Sequence, residues 1–496
     1  MLHKTIKKST MKTVIPILSL FLVLSSCDNA LEEVPEDLLS VQNFYTNEAD
    51  ALAAVYAMYE PMRANNYYGA RYPGHFEVLA DYANGRGSYA PVSEYQGLNT
   101  VNIGRTDNMW ALMYQAINRA NTVIGRVPDI DMDSQLRDAL VAEAHFIRAF
   151  NYFNLVRNWG GVPLRINEVT DVSTIGAPRA SEQEIYDFIV SDLQIAENDL
   201  PAQPTESGRA TSWAAKTLLA YVYLTLENWT NAASKAKEVI DGGAFSLVQV
   251  SQPDDFNTIF GPEIISSSEE ILSLKYTRID DQGLFFVSFM HNAAAGFSAA
   301  GFRVTLGDPN SSFIQNWDNQ DLRKDFNTYT SYVDGDGNVV ELPENEPLLF
   351  RKFSDGAAPT SDGHGNDYPL LRYPDVLLIF AEAASEANNG PTSEAYEAIN
   401  QVRRRAYGLD PMAPDAGVDL AGLSAVAFKD AVLLERAHEF IMESKRWYDL
   451  KRTGRVQDVI EATGKSFSSI HLLAPIPEAE IQNNPEIGVE DQNPGY

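Results

Sequence analysis

Apolar residues recur along this chain at helical spacing in separate blocks, and most of the blocks come in pairs. An Ala-rich stretch at 47–62 predicts the first helix, and the pattern returns over 106–126 and 134–158. In the last of these, Ala142, Phe146, Ala149, Phe150 and Phe153 stand at i, i+4, i+7, i+8 and i+11, which is one face of a helix. Further helices are predicted at 181–199, 212–227 and 231–241, the last stopped by Gly242-Gly243. Between the latter two, the stripe Ala215, Leu218, Leu219, Val222, Tyr223 and Leu226 turns through Glu227-Asn228-Trp229-Thr230 into Ala232, Ala233 and Ala236. Large residues facing small ones across a short turn is the logic of a tetratricopeptide hairpin, although the irregular spacing makes the chain repeat-like rather than a repeat array. Helical phase resumes at 372–387, with Tyr373, Val376, Leu377, Phe380, Ala384 and Ala387 on one face, and continues at 393–406 and 424–452.

Two long stretches interrupt these helices. Residues 65–105 are dense in Gly, Tyr, Asn and Pro without a sustained period, and 253–367 breaks into short alternating segments, such as 270–277 and 326–342, joined by Gly and Asp clusters. The second reads as hairpins and loops. Insertions of this length carry function more often than packing. The pattern thus predicts an all-α-dominated single domain over 41–496, built of tetratricopeptide-like hairpins with two irregular insertions and small β-hairpins.

The N-terminus has a different character. Lys4, Lys7, Lys8 and Lys12 precede an apolar run from Val14 to Leu24, and Leu24-Ser25-Ser26-Cys27 follows at once. A run of about 11 residues is too short for the hydrocarbon core, which takes about 20 in a helix. Residues 1–26, starting at Met1 or at Met11, therefore read as a lipoprotein signal, and Cys27 as the first mature residue, acylated and palmitate-bearing. The bland alternative is an ordinary signal peptide with an incidental cysteine. Residues 27–40, with Glu32, Glu33, Pro35, Glu36 and Asp37, read as an acidic tether. Cys27 is the one cysteine in the chain, so neither an internal disulfide nor a cysteine-based metal site is available.

Charge narrows the partners. The net charge is −30, and removal of the signal takes away four lysines and no acid, so the mature field repels phosphate backbones and excludes nucleic acid as an expected partner. The chemistry of catalysis has no foothold. His438-Glu439 lacks the second histidine of a zinc-protease helix, with Met442 in its place. Asp334-Gly335-Asp336-Gly337-Asn338 begins like a calcium loop but has Val339 where glycine is required and Asn345 where the bidentate glutamate belongs, so a hairpin turn is predicted. Gly85-Arg86-Gly87 is too short for a phosphate loop, and the histidines lack metal spacing. Arg436 to Glu439, Glu443 to Arg446 and Lys445 to Asp449 are spaced for ion pairing along one helix rather than for catalysis. No catalytic residue, metal site or cofactor is predicted.

Aromatics carry more signal. Tyr67, Tyr68, Tyr72, Tyr82, Tyr89 and Tyr95 crowd the first insertion, and Phe285, Phe286, Phe289, Phe297 and Phe302 the second, while Trp317 falls in a predicted short helix at 312–323 and is expected to pack. Such rings either plug the core or form a platform for flat sugar faces. A ring covering roughly 50–100 Å² of apolar sugar surface contributes about 1–3 kcal/mol, so several are needed. Tyr67, Tyr68, Tyr72, Phe285, Phe286 and Phe302 are the candidate ligand-binding residues.

The order of motifs resembles the SusD/RagB family, the surface glycan-binding lipoproteins of Bacteroidetes-type bacteria. The resemblance runs from Ala142-Glu143-Ala144-His145-Phe146-Ile147-Arg148-Ala149 and Trp159-Gly160-Gly161-Val162-Pro163-Leu164, through Arg372-Tyr373-Pro374-Asp375 with Ala381-Glu382-Ala383, Ile399-Asn400-Gln401-Val402-Arg403-Arg404-Arg405, and Glu435-Arg436 to Arg446-Trp447-Tyr448-Asp449-Leu450. It ends at Pro475-Ile476-Pro477 and Gln492-Asn493-Pro494-Gly495-Tyr496. It departs at Ala437-His438, where the family often carries a second arginine, which puts the local ion pairing in question. The resemblance implies four tetratricopeptide-like hairpins, a ligand face built from the insertions, a SusC-like TonB-dependent barrel as partner, and an oligosaccharide or polysaccharide ligand. Asp28, Glu32 and Glu33 after Cys27 fit export to the cell exterior on the outer membrane. Alternatives from other classes are a surface glycoside hydrolase, a protein-binding tetratricopeptide scaffold and a peptide-binding member of the same family.

Overall fold

The helices begin where the sequence supplies a cap. In the computed structural model, which describes residues 44–169 and 176–496, Asn47 opens α1 (Glu48–Arg63) by accepting the Asp50 N–H. After the short α2 (Arg71–Glu77), Asn99 caps α3 (Thr100–Arg126) and Asp133 caps α4 (Ser134–Trp159). Ser181 and Glu184 form a reciprocal capping box on α5 (Glu182–Asp199). Thr211 and Asn228 cap α6 (Ser212–Thr225) and α7 (Trp229–Gly242). Each side-chain oxygen satisfies an amide that the first turn leaves without a partner. Cys27, the predicted signal 1–26 and the tether 27–40 lie outside the described residues. Residues Asn47–Tyr496 form one compact unit.

These helices pack on their sequence neighbours in succession: α1 on α3, α3 on α4, α4 on α5, α5 on α6, and α6 on α7. The line continues with α7 on α8 (Tyr373–Ala387) and α8 on α9 (Ser393–Ala406). Helices α6 and α7 form the hairpin that the pattern predicts, and the succession α1/α3, α4/α5, α6/α7 and α8/α9 accommodates the four hairpins that the resemblance implies. The α4 stripe of Ala142, Phe146, Ala149, Phe150 and Phe153 is buried. At the end of α4, Gly160 takes φ +71°, the conformation a side chain resists, and Trp159 Nε1 donates to the Pro475 carbonyl at 2.9 Å. The C-terminal segment is thereby sewn to the scaffold.

The strands do little for the core but decide where the insertions go. Strand β1 (Ala83–Gly85) lies in the first insertion, and β2 (Glu270–Leu274) and β3 (Thr305–Gly307) in the second. They are followed by β4 (Thr328–Tyr329), β5 (Ser331–Val333), β6 (Val339–Glu341), β7 (Leu349–Phe350) and β8 (Tyr368–Arg372). Among the described residues the strands form four ladders, each two-stranded and antiparallel. Only β5–β6 is a tight hairpin, turned by Asp334, whose carboxylate accepts the Asp336 and Asn338 N–H groups. The other ladders are long-range: β2–β8 closes the second insertion at its base, and β1–β3 joins one insertion to the other.

The stretch 424–452 differs from its prediction. Helix α10 (Ala425–Glu439) stops, residues 440–445 turn with Met442 and Ser444 at φ 64° and 56°, and α11 (Arg446–Arg452) restarts. The pairs expected along one helix are replaced by pairs between elements. Arg436 reaches Asp449 at 2.8 Å, Arg446 reaches Asp81 at 2.8 Å, and Lys445 reaches Asp375 at 3.1 Å. Glu439 accepts from Arg323, Arg372 and Arg405 at 3.0, 2.9 and 2.6 Å, and Glu443 from Arg372 and Lys352. These side chains are buried, and a buried charge takes whatever partner can be fixed against it, whereas i,i+4 pairing belongs to a solvated face. Trp317 is buried as expected. It stacks on His438 at 4.5 Å, although the predicted helix at 312–323 is split between Ser312–Gln315 and Leu322–Asn327.

Candidate functional site

The β1–β3 ladder brings the two insertions to one place. Around it, the Arg86 N–H donates to the Val304 carbonyl, Asp308 N–H to Tyr82 and Phe286 N–H to Gly69, so the loops are laced by backbone rather than merely adjacent. Gly74 permits the approach: a Cβ there would stand 2.8 Å from the Phe289 ring. Just before β3, Arg303 takes φ 51°, while Phe302 N–H and Val304 N–H are fixed to the Ser288 and Phe289 carbonyls at 2.8 Å. That geometry turns Phe302 outward, 47% exposed.

Phe302 does not stand alone. The half-buried Phe285 meets it edge to face, with ring centroids 5.6 Å apart, and Phe285 in turn meets the buried Phe289 at 5.4 Å. Beneath lies Tyr89, 5.9 Å from Phe289. The Arg105 guanidinium covers the Tyr89 ring at 3.8 Å, and that of Arg71 covers Phe289 at 5.5 Å. Burial lowers the Arg105 pKa, with Tyr89 opposing. The result is an exposed aromatic edge on a rigid aromatic base.

The other four candidate rings are placed differently. Tyr67, Tyr68, Tyr72 and Phe286 are buried. Tyr67 and Tyr68 accept from Asn154 Nδ2 at 2.7 and 3.2 Å, and Tyr72 donates to Asn154 Oδ1 at 3.1 Å. Tyr68 also faces Phe150 and Tyr368, and Phe286 packs against Phe289, Phe353 and Tyr368. With protein across their faces, these rings plug the insertions onto α4 and β8 rather than presenting a platform. A signal for this existed on the helix they meet: Asn151, Asn154 and Asn158 form a stripe on α4 that, once buried, demands polar partners, and tyrosine hydroxyls supply them.

A groove of about 430 Å³, missed in the sequence, opens between the end of α1 and the loop after β2. Arg63, Asn65 and Glu60 line it from one side, and Tyr276, Asp281 and Gln282 from the other. The Tyr276 hydroxyl donates to the Arg63 carbonyl at 3.2 Å, and burial pushes its phenol well above the usual range, so it remains an O–H donor. Asn65 Nδ2 reaches Asp362 at 3.5 Å. Gly283, on the groove wall, donates its N–H to the Asp362 carbonyl and stands two residues before Phe285. No periodicity marks 276–283, and single-sequence reasoning has no means of placing it opposite Arg63. Amides, a guanidinium, carboxylates and a phenol in one groove suit a polyhydroxylated ligand, and the Phe285–Phe302 edge suits a flat apolar ring face. Among the described residues, no group of three or more His, Asp or Glu is placed to hold a metal ion.

The comparisons with known proteins agree with this architecture. A family model described as the SusD family matches residues 302–496, and another, described as starch-binding and associating with the outer membrane, matches residues 30–224. SusD-like protein P2 of Formosa agariphila is 28% identical over 511 residues, covering 97% of this chain and 99% of that protein. Among solved structures, a SusD superfamily protein from Parabacteroides distasonis superposes with a TM-score of 0.77 at 24% identity, over 92% of this chain and 100% of that one. A laminarin-binding SusD-like protein superposes at 0.75 and 24% identity, over 91% and 100%. With paired helices, two interlocked insertions and matches to both halves of its length, the chain is similar to the SusD/RagB family from one end of the described fold to the other.

Proposed function

We propose that the protein is a non-catalytic glycan-binding lipoprotein of the outer membrane, which captures an oligosaccharide or polysaccharide and delivers it to a SusC-like TonB-dependent barrel. The observation that carries the reading is the exposed Phe302 edge, seated on Phe285 where the two insertions meet, in a family described as starch-binding and associated with the outer membrane. Ring faces and groove polar groups divide the work: apolar sugar faces lie against Phe302 and Phe285, and hydroxyls exchange hydrogen bonds with Asn65, Gln282 and Arg63. Acylation at Cys27 anchors the chain on the exterior face, where tethering raises its effective concentration beside the barrel.

A glycan array probed with the chain from residue 28 onward tests the reading. Binding of at least one glycan is expected, weakened in Phe302→Ala, and incubation with that glycan releases no smaller products. Product release abolished by one carboxylate substitution would make the protein a glycoside hydrolase instead, and retention of peptides but no glycan would favour the peptide-binding reading. Cys27→Ala should abolish incorporation of a tagged fatty acid. Detergent pull-down from native membranes should recover a large TonB-dependent barrel, and recovery of the protein alone would remove the delivery step.

A further inference from the structure

A second pocket, of about 190 Å³, lies in the helical scaffold, lined by α4, α5, α6 and α11. Its wall carries three cations, and they are not equally provided for. Arg452 is fully paired, with Glu382 at 2.6 Å and Asp449 at 2.9 Å. Arg157 and Lys451 have no carboxylate within ion-pair distance among the described residues. Lys451 donates to the carbonyls of Arg157 and Leu472. Arg157 donates to the Phe153 carbonyl, the Asn154 side chain and the Tyr221 hydroxyl, and its guanidinium is sandwiched between the Phe153 and Tyr448 rings at 4.0 and 3.9 Å. The chain has 68 acids against 38 lysines and arginines, so two cations with neutral partners at one cavity are not a shortage of anions.

Leaving a charge in a partly dry site without a counter-charge is costly unless something completes it. The two carbonyls use two of the three Lys451 donors. Burial pushes Lys451 down to about 7, opposed by Glu182 and assisted by Arg157. The other polar groups on the wall are Glu182 at the exposed rim, the Tyr186 phenol, and the Tyr448 and Thr225 hydroxyls, which already donate to Asn158 Oδ1 and the Tyr221 carbonyl at 2.9 Å. The volume exceeds the roughly 150 Å³ that admits benzene into an engineered cavity, and this pocket is polar.

We propose that this pocket binds a small oxyanion, a carboxylate or a sulfate, held by Lys451 and Arg157 with the Tyr186 phenol on the wall beside them. The inference is independent of the glycan reading. Titration calorimetry of the chain from residue 28 onward, with sodium sulfate and separately with sodium acetate at ionic strength fixed by chloride, tests it. Saturable binding of at least one anion is expected, and which one binds distinguishes a tetrahedral from a planar ligand. Lys451→Met should weaken binding by about tenfold or more, the loss of one charged hydrogen bond. Glu182→Gln, a change at the exposed rim that spares folding, should strengthen it. The absence of saturable binding for both anions overturns the proposal, as does affinity unchanged in a folded Lys451→Met. If Lys451→Met fails to fold, an affinity unchanged in Glu182→Gln decides against it.

Discussion

Phe302 and Tyr72 are both aromatic residues of long insertions, and what separates them is what lies across the ring. Phe302 is half exposed to solvent and meets Phe285 edge to face, whereas Tyr72 is fully enclosed, with its hydroxyl 2.6 Å from that of Tyr448 and bonded to Asn154. Phe302→Ala should therefore lower glycan affinity by about 1–3 kcal/mol while leaving the melting temperature in place. Tyr72→Ala should do the reverse, costing about 3–5 kcal/mol of stability by denaturant titration, because it opens a cavity in the core. Tyr72→Phe, which removes only the hydroxyl, should cost about 1–3 kcal/mol by leaving Asn154 and Tyr448 short of a partner. The sequence could not make this division, because loop aromatics have no period to say which way they face. The asparagine stripe of α4 held the missing clue.

At the level of elements, caps and apolar stripes were legible because both are local. Asn47, Ser181, Thr211 and Thr392 start helices within a residue or two of where the pattern puts them, whereas Asn99 starts α3 six residues earlier, inside the stretch read as insertion. The break at 440–445 was not legible, since Ala437, Phe440 and Ile441 continue the stripe and the charges satisfy one another on paper. What ends α10 comes from elsewhere. Lys352 and Arg372 donate to the Glu439 carbonyl at 3.3 and 3.2 Å, completing the helix terminus with cations, and the Ser444 N–H donates to Glu77 from the first insertion. Arg405, Arg372 and Arg323 hold the Glu439 carboxyl below the ordinary range against the burial that would raise it. The cluster therefore acts as a staple between the second insertion, α9 and α10. Glu439→Gln should cost about 3–5 kcal/mol, because three buried guanidinium groups lose their shared anion. The exposed i,i+4 pair Lys237–Asp241 is the control, and Asp241→Asn should cost no more than about 0.5 kcal/mol. Equal losses in the two variants would remove the staple from the account of stability.

For the whole molecule, the same burial sets a dependence on acidity. His75 and His438 are pushed down to about 3 and His291 to about 4, in each case by desolvation first, so all three are neutral in the fold. Unfolded, they titrate near 6.5. Between those values the unfolded chain binds more protons, so stability is lost as pH falls from about 6.5, by about 1.4 kcal/mol per pH unit for each histidine. Glu77 works the other way. Burial raises it to about 7, so the fold holds a proton there that the unfolded chain releases above its ordinary value, and this offsets one of the three. Below about pH 4.5 the carboxylates held low by guanidinium partners, Glu439 and Asp449 among them, add to the loss as they are forced to protonate. Burial lowers His364 and His471 as well, which adds to the loss, so the protein should begin to lose stability near pH 6 rather than at the carboxylate range, and the number of protons taken up on unfolding at pH 5.5 should be positive. Calorimetry of unfolding in two buffers of different ionisation enthalpy measures that number. His438 stacks on Trp317 and Phe313 without a charged partner of its own, so His438→Asn should reduce the uptake by about one. An uptake unchanged in that variant, or proton release in the parent, would show that the histidines are charged in the fold and that acid stability is set by the carboxylates alone.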